Sequence, residues 1–261
     1  AESARAILKQ VETRDPDHPY ALRLRALAMQ RIGDSAGLFA LLPRLRKLKD
    51  MDDVALDAFE TPAVRDEITR LTKAADLAGL DAAWRALPRY LRERPALVCA
   101  YVDALSTLGQ TARAESVLRN ALRHAWHDTL IDLYGSMPHQ DLPRAIAFAE
   151  RFLRERELER NAALLLALGR LCRRERLWGK ARGYFDASLA SQPRPDTYRE
   201  LGDLLEQLGE RDPARHCFRK GLRLAAEGVL DNGQTLYLPT RRRAPELPPP
   251  PRKGDEELHT V

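Results

Sequence analysis

Residues 162–190 read AALLLALGRLCRRERLWGKARGYFDASLA, and residues 195–223 read PDTYRELGDLLEQLGERDPARHCFRKGLR. Set 33 residues apart, they bring Leu168-Gly169 over Leu201-Gly202, Ala181 over Ala214, Phe185 over Phe218 and Ser188 over Gly221. Apolar residues within each copy recur at spacings of three and four, the helical period, rather than in alternation. One helical hairpin is therefore written twice.

Self-similarity at 33–34 residues, with a small residue in the first helix and Ala-x-x-x-Phe in the second, is the tetratricopeptide signature. The expected fold is all-α, a right-handed superhelical solenoid of about six hairpins. Such a hairpin cannot bury its apolar faces alone and does so by stacking on the next. Gly169 and Gly202 sit in first helices, where glycine costs about 1 kcal/mol relative to alanine. That cost implies a close helix crossing, with Ala181 and Ala214 facing the glycines and Phe185 and Phe218 filling the space between neighbouring repeats. The solenoid is expected over residues 1–228 and a disordered Pro/Arg-rich tail over 229–261.

Outward from this stretch the pattern continues. Ala4, Leu8 and Val11 read as the second helix of a repeat whose first helix is missing, so the chain reads as a piece of a longer protein. From Pro19 to about Leu48, Leu22, Leu24, Leu27 and Ala28 mark one helix, Gly33-Asp34 a turn, and Leu38, Leu41, Leu42 and Leu45 the partner. A short helix is predicted over 51–59, with a new one starting at Thr61-Pro62, since proline is tolerated in a first turn. It runs through Ile68 and Leu71 to Gly79, and Asp81 is expected to cap the next. A clear hairpin follows over 98–121 about Gly109, then a weaker one whose turn spans Pro138–Pro143. Beyond Leu224 the periodicity ends and prolines 248–251 preclude helix. Leu236-Tyr237-Leu238 could dock on the last repeat, and the Pro-rich run could serve as a partner ligand.

Apolar residues make up 44% and charged ones 31% of the 261 residues, which suits amphipathic helices with one wet face. The net charge is +5, but Arg alternates with Glu and Asp along helical faces, as from Arg151 to Arg160, so the basic excess reads as a salt-bridged surface. The three cysteines, Cys99, Cys172 and Cys217, form no Cys-x-x-Cys pair and are odd in number, which fits a reducing compartment. No apolar run reaches the 18 or so residues of a membrane helix.

Catalytic motifs are absent: no Gly-x-Gly-x-x-Gly, phosphate loop, His-Glu-x-x-His or Gly-x-Ser-x-Gly occurs. No enzyme activity and no metal site is expected. His124 and His127 could share a helical face but lack further ligands. His216-Cys217 is the one pair that suggests a haem ligand, with a rim His beside a packed Cys as the plainer reading. First helices line the concave side of such a solenoid, making Asp103, Arg170, Arg173, Arg199 and Asp203 the candidate partner-binding residues. A mixed-charge groove suits a protein or peptide better than a phosphate backbone, so no nucleic-acid partner is expected.

Two strings go further. Leu164 to Cys172 followed by Leu177-Trp178-Gly179-Lys180-Ala181-Arg182, together with Leu41-Leu42-Pro43-Arg44-Leu45-Arg46-Lys47, resemble the C-terminal part of the HemY family of proteobacterial tetratricopeptide proteins. The Trp-Gly-Lys-Ala string, read as a turn, is the most specific part. This resemblance implies a non-catalytic scaffold at the cell inner membrane, anchored by N-terminal helices absent from this chain, with its solenoid on the cytoplasmic side. It also implies docking of late protoheme-biosynthesis enzymes. A haem or porphyrin carrier using His216 or Cys217, and a general cell-envelope adaptor, are the alternatives.

Overall fold

The computed structural model describes residues 18–48, 53–155 and 158–227. Every regular element among them is helical, as the fold class predicts. In order these are α1 (Pro19–Ile32), α2 (Ser35–Leu45), α3 (Asp53–Lys73), α4 (Leu77–Ala86), α5 (Arg89–Arg92), α6 (Pro95–Thr107) and α7 (Thr111–His124). There follow α8 (Asp128–Ser136), α9 (Leu142–Glu150), a 3-10 turn (Arg151–Arg154), α10 (Ala162–Arg174), α11 (Trp178–Ser191), α12 (Pro195–Gln207) and α13 (Arg211–Glu227). The expected half-repeat at Ala4–Val11 and the tail lie outside the described residues.

The chain divides into two units, Ala1–Ser191 and Gln192–Val261. In the first, α1 packs on α2, α6 on α7 and α10 on α11, while first helices stack on one another, α3 on α6, α6 on α8 and α8 on α10. In the second, α12 packs on α13. These are tandem tetratricopeptide-type hairpins.

Five hairpins turn in the same way. Gly33, Gly109 and Gly209 adopt left-handed backbone with φ of 74°, 74° and 82°, and so do Ala75 (54°) and Arg176 (60°). The amide of each donates three residues back, and the following amide five back, as in Gly33 to Gln30 and Asp34 to Met29, or Arg176 to Arg173 and Leu177 to Cys172. This pattern satisfies carbonyls that a helix end leaves open. The turn therefore lies at Glu175–Leu177, and Trp178-Gly179-Lys180 opens α11 instead of forming the turn.

The glycine crossings are real, with a different partner. A Cβ built on Gly169 would lie 2.3 Å from Phe185 Cε1, and one on Gly202 would lie 2.5 Å from Phe218 Cε1. Each Phe ring thus fills the notch over the glycine of its own hairpin, where the sequence reading put it between repeats. Ala181 and Ala214 are fully buried beside them. One turn further on, the Ser188 hydroxyl donates to the Ala162 carbonyl at 2.9 Å. Gly221 occupies the corresponding place in the second unit, where a Cβ would lie 3.3 Å from the Pro195 carbonyl oxygen.

Three further expectations are corrected. Leu22 is buried as expected, but Leu27 and Ala28 are exposed, and α1 buries Ala21 and Ala26 beside Leu22. Asp76 caps α4 by accepting from the Gly79 amide at 2.8 Å, whereas Asp81 lies inside α4 and accepts from the Tyr101 hydroxyl at 3.0 Å and Arg113 at 2.7 Å. Finally, α3 is one helix through Pro62 rather than two. Proline lacks the amide that would serve the carbonyl four residues back; that carbonyl, Ala58, instead accepts from the Gln30 side-chain amide of α1 at 3.5 Å.

The α8–α9 hairpin has no left-handed turn residue; Met137 is extended there. Its open carbonyls are served from elsewhere. His139 Nε2 lies 2.7 Å from the Tyr134 oxygen, and the Arg174 guanidinium of α10 donates to the Gly135 and Met137 oxygens, each at 2.5 Å.

Candidate docking groove on the first helices

Between α3 and α6 lies a groove of about 280 Å³. Its floor is Ile68, Ala100 and Ala104, with Thr69, Thr72 and Thr107 along it. The three threonine hydroxyls each donate to a carbonyl of their own helix, Arg65, Ile68 and Asp103, at 2.7–2.8 Å. Their donor capacity is thus already engaged, and the floor is less polar than its composition suggests.

Arg65, Lys73 and Asp103 line the same groove. None of the three makes a side-chain ion pair or hydrogen bond among the described residues. Asp103 is exposed at its tip, while the packed helices beneath partly desolvate its carboxyl and push its pKa above the ordinary value. A site of this kind offers two cations and one anion around an apolar floor.

The other candidates fall elsewhere. Arg170 closes the α8–α10 interface, donating to Ser136 Oγ at 3.0 Å and Asp132 Oδ1 at 3.4 Å with only 12% of its side chain exposed. Arg173 is half-buried on the same helix. In the second unit Arg199 pairs with Glu200 at 3.1 Å and lies 4.0 Å from Asp203, and its side chain is 57% exposed. The structure places Asp103, Arg170 and Arg173 in the first unit and Arg199 and Asp203 in the second. Arg65 and Lys73 escaped the sequence reading, although Thr69 stands 34 residues before Asp103, one repeat away.

His216 is exposed on α13 while its neighbour Cys217 is buried; adjacent residues on a helix diverge by about 100°. His124 and His127 do not share a helical face, because α7 ends at His124 and His127 is the extended cap of α8. His124 Nε2 lies 3.1 Å from Glu93, and His127 Nδ1 accepts from the Thr129 amide. No cluster of three or more His, Cys, Asp or Glu able to hold a metal occurs among the described residues. No helix among them is long and apolar enough to cross a membrane.

Fold and groove define a helical-repeat architecture of the tetratricopeptide type. No family model matches the chain, and no curated protein matches it, so neither comparison returns the HemY family. Solved structures do match. "MamA MSR-1 C2" is 16% identical, covering 64% of this chain and 97% of that one with a TM-score of 0.39. "MamA AMB-1 P212121" is 17% identical over 67% and 97% with a TM-score of 0.37. BtubC from P. vanneervenii is 17% identical over 93% and 92%, TM-score 0.40. At these values the likeness is one of helical architecture and carries nothing about partners or activity.

Proposed function

We propose that the chain is a non-catalytic docking scaffold that takes a partner segment into the α3–α6 groove. The observation that carries this is the trio Arg65, Lys73 and Asp103, charged and without ion-pair partners among the described residues, around a floor whose hydroxyls are already bonded. A matching segment carries a small apolar side chain for the floor, an acid toward Arg65 and Lys73 and a base toward Asp103. The string from Leu177 to Arg182, through its resemblance to HemY, supports a finer reading: late haem-biosynthesis enzymes as partners, at the inner membrane.

The test is capture of purified late haem-pathway enzymes by the full chain and by the Arg65→Glu/Lys73→Glu/Asp103→Lys variant. Expected is saturable capture that weakens about tenfold or more in the variant, a loss of about 1.4 kcal/mol. Undiminished capture by the variant refutes the groove, and no capture by either chain refutes the haem-pathway partners. A Soret shift on adding haem, lost in His216→Ala/Cys217→Ala, replaces the scaffold reading with a carrier.

A further inference from the structure

We infer that the outer face of α13 docks an acidic amphipathic helix of a partner protein, a surface separate from the α3–α6 groove. Arg211, Arg215, Arg219 and Arg223 follow one another at four-residue spacing, with His216 and Lys220 alongside. At a rise of 1.5 Å per residue the arginines stand about 6 Å apart, in a gently winding column about 18 Å long. All six side chains are exposed, while the opposite face buries Ala214, Cys217 and Gly221.

Like charges four apart on a helix destabilise it. Elsewhere cations at that spacing are answered: Arg89 by Glu93, Arg119 by Glu115, Arg182 by Asp186 and Arg199 by Asp203. Where arginines do stand four apart, Arg170 and Arg174 are engaged by Asp132, Ser136 and the Gly135 and Met137 carbonyls, and Arg119 and Arg123 lie over the Phe148 ring. On α13 the single acid between Arg211 and Leu224 is Asp212, 3.5 Å from Arg215 with both side chains open to water. Arg211, Arg219 and Lys220 have no ion-pair partner among the described residues. A face that only kept the helix wet would work as well with mixed signs and without the repulsion.

The chemistry of the occupant follows from what accompanies the charges. A single-stranded nucleic acid calls for aromatics on which its bases stack, and the only Phe, Tyr or Trp of α13, Phe218, packs over Gly202. A lipid surface calls for a broad apolar stripe, whereas Leu222, 72% exposed, stands alone among the cations. A second helix with Asp or Glu every fourth residue repeats at the same 6 Å rise and meets the column charge for charge, with one apolar side chain against Leu222.

The experiment is fluorescence anisotropy with the full chain and a labelled helical peptide bearing four Glu at four-residue spacing and one Leu. Comparison probes are a scrambled peptide of equal composition, a single-stranded RNA and phosphatidylglycerol vesicles. The ordered peptide should bind at least about tenfold tighter than the scrambled one, and more weakly as salt rises. Arg215→Glu/Arg219→Glu should weaken binding about tenfold or more, and Arg215→Lys/Arg219→Lys less than about threefold, with unchanged far-UV circular dichroism. Equal binding of the scrambled peptide, tighter binding of RNA or vesicles, or indifference to charge reversal overturns the inference. Deleting residues 254–261, which carry Asp255-Glu256-Glu257, should leave the affinity unchanged; a tenfold rise makes that acidic tail the occupant and overturns the partner.

Discussion

Replacing Gly169 by Ala should destabilise the first unit although alanine is the better helix former. The added Cβ would stand 2.3 Å from Phe185 Cε1 and 2.4 Å from Cδ1. Carbon atoms rest at about 3.5–4.0 Å, so the ring must retreat by more than about 1 Å. Phe185 is fully buried, as are Leu168 and Ala181 beside it, and a filled core gives way only at a cost of about 1–3 kcal/mol. The helical gain from Gly to Ala is about 1 kcal/mol, leaving a net loss of up to about 2 kcal/mol. Gly183, on the second helix of the same hairpin, has nothing within 4 Å of its would-be Cβ, so Gly183→Ala should gain about 0.5–1 kcal/mol. Urea unfolding of the full chain, followed by circular dichroism with the slope checked, reads both signs in one experiment. Adding Phe185→Leu to Gly169→Ala should cost less than the two single changes together, because the shorter side chain vacates the notch. A Gly169→Ala midpoint at or above that of the parent chain refutes the crossing.

Arg174→Met keeps the apolar stem but abandons the carbonyls of Gly135 and Met137, and should cost about 1.5–3 kcal/mol in the same assay; a change under about 0.5 kcal/mol means that water serves those carbonyls equally well. Burial holds the imidazole of His139 below its ordinary pKa, with Glu115 Oε2 3.5 Å from Nδ1 insufficient to reverse this. The unfolded chain then takes up the proton first, so this contribution is fully present above about pH 6.5 and is lost as the pH falls through and below it. Urea midpoints between pH 8 and 5 should fall more steeply for the parent than for His139→Gln, and parallel curves would remove His139 as the cause.

The hairpins were legible because their determinants are local and periodic: Leu38, Leu41, Leu42 and Leu45 at helical spacing, Gly33 and Gly109 at turns, and Ala-x-x-x-Phe opposite a small residue. What the sequence hid depends on residues far along the chain. Pro62 reads as a helix start because proline is at home there; inside α3 the Ala58 carbonyl that it leaves open is served by Gln30, 28 residues before Ala58. Arg170 reads as a groove cation because its partners Asp132 and Ser136 belong to the preceding repeat. The candidate groove was half legible. Asp103 is read from its place on a first helix, whereas Arg65 and Lys73, inside the helix predicted from Thr61 to Gly79, were not singled out because their pairing across the groove with Asp103 depends on α3 stacking on α6.

The contact of Arg174 with the end of α8 also bears on how the chain is made. Synthesis runs from the N-terminus, so α8 and α9 emerge from the ribosome before the residue that completes them. Until position 174 is available, the carbonyls of Gly135 and Met137 face water, and any fragment ending upstream of it leaves them there permanently. An N-terminal piece that keeps these bonds therefore extends through α10, a full repeat beyond the helix ends that they complete.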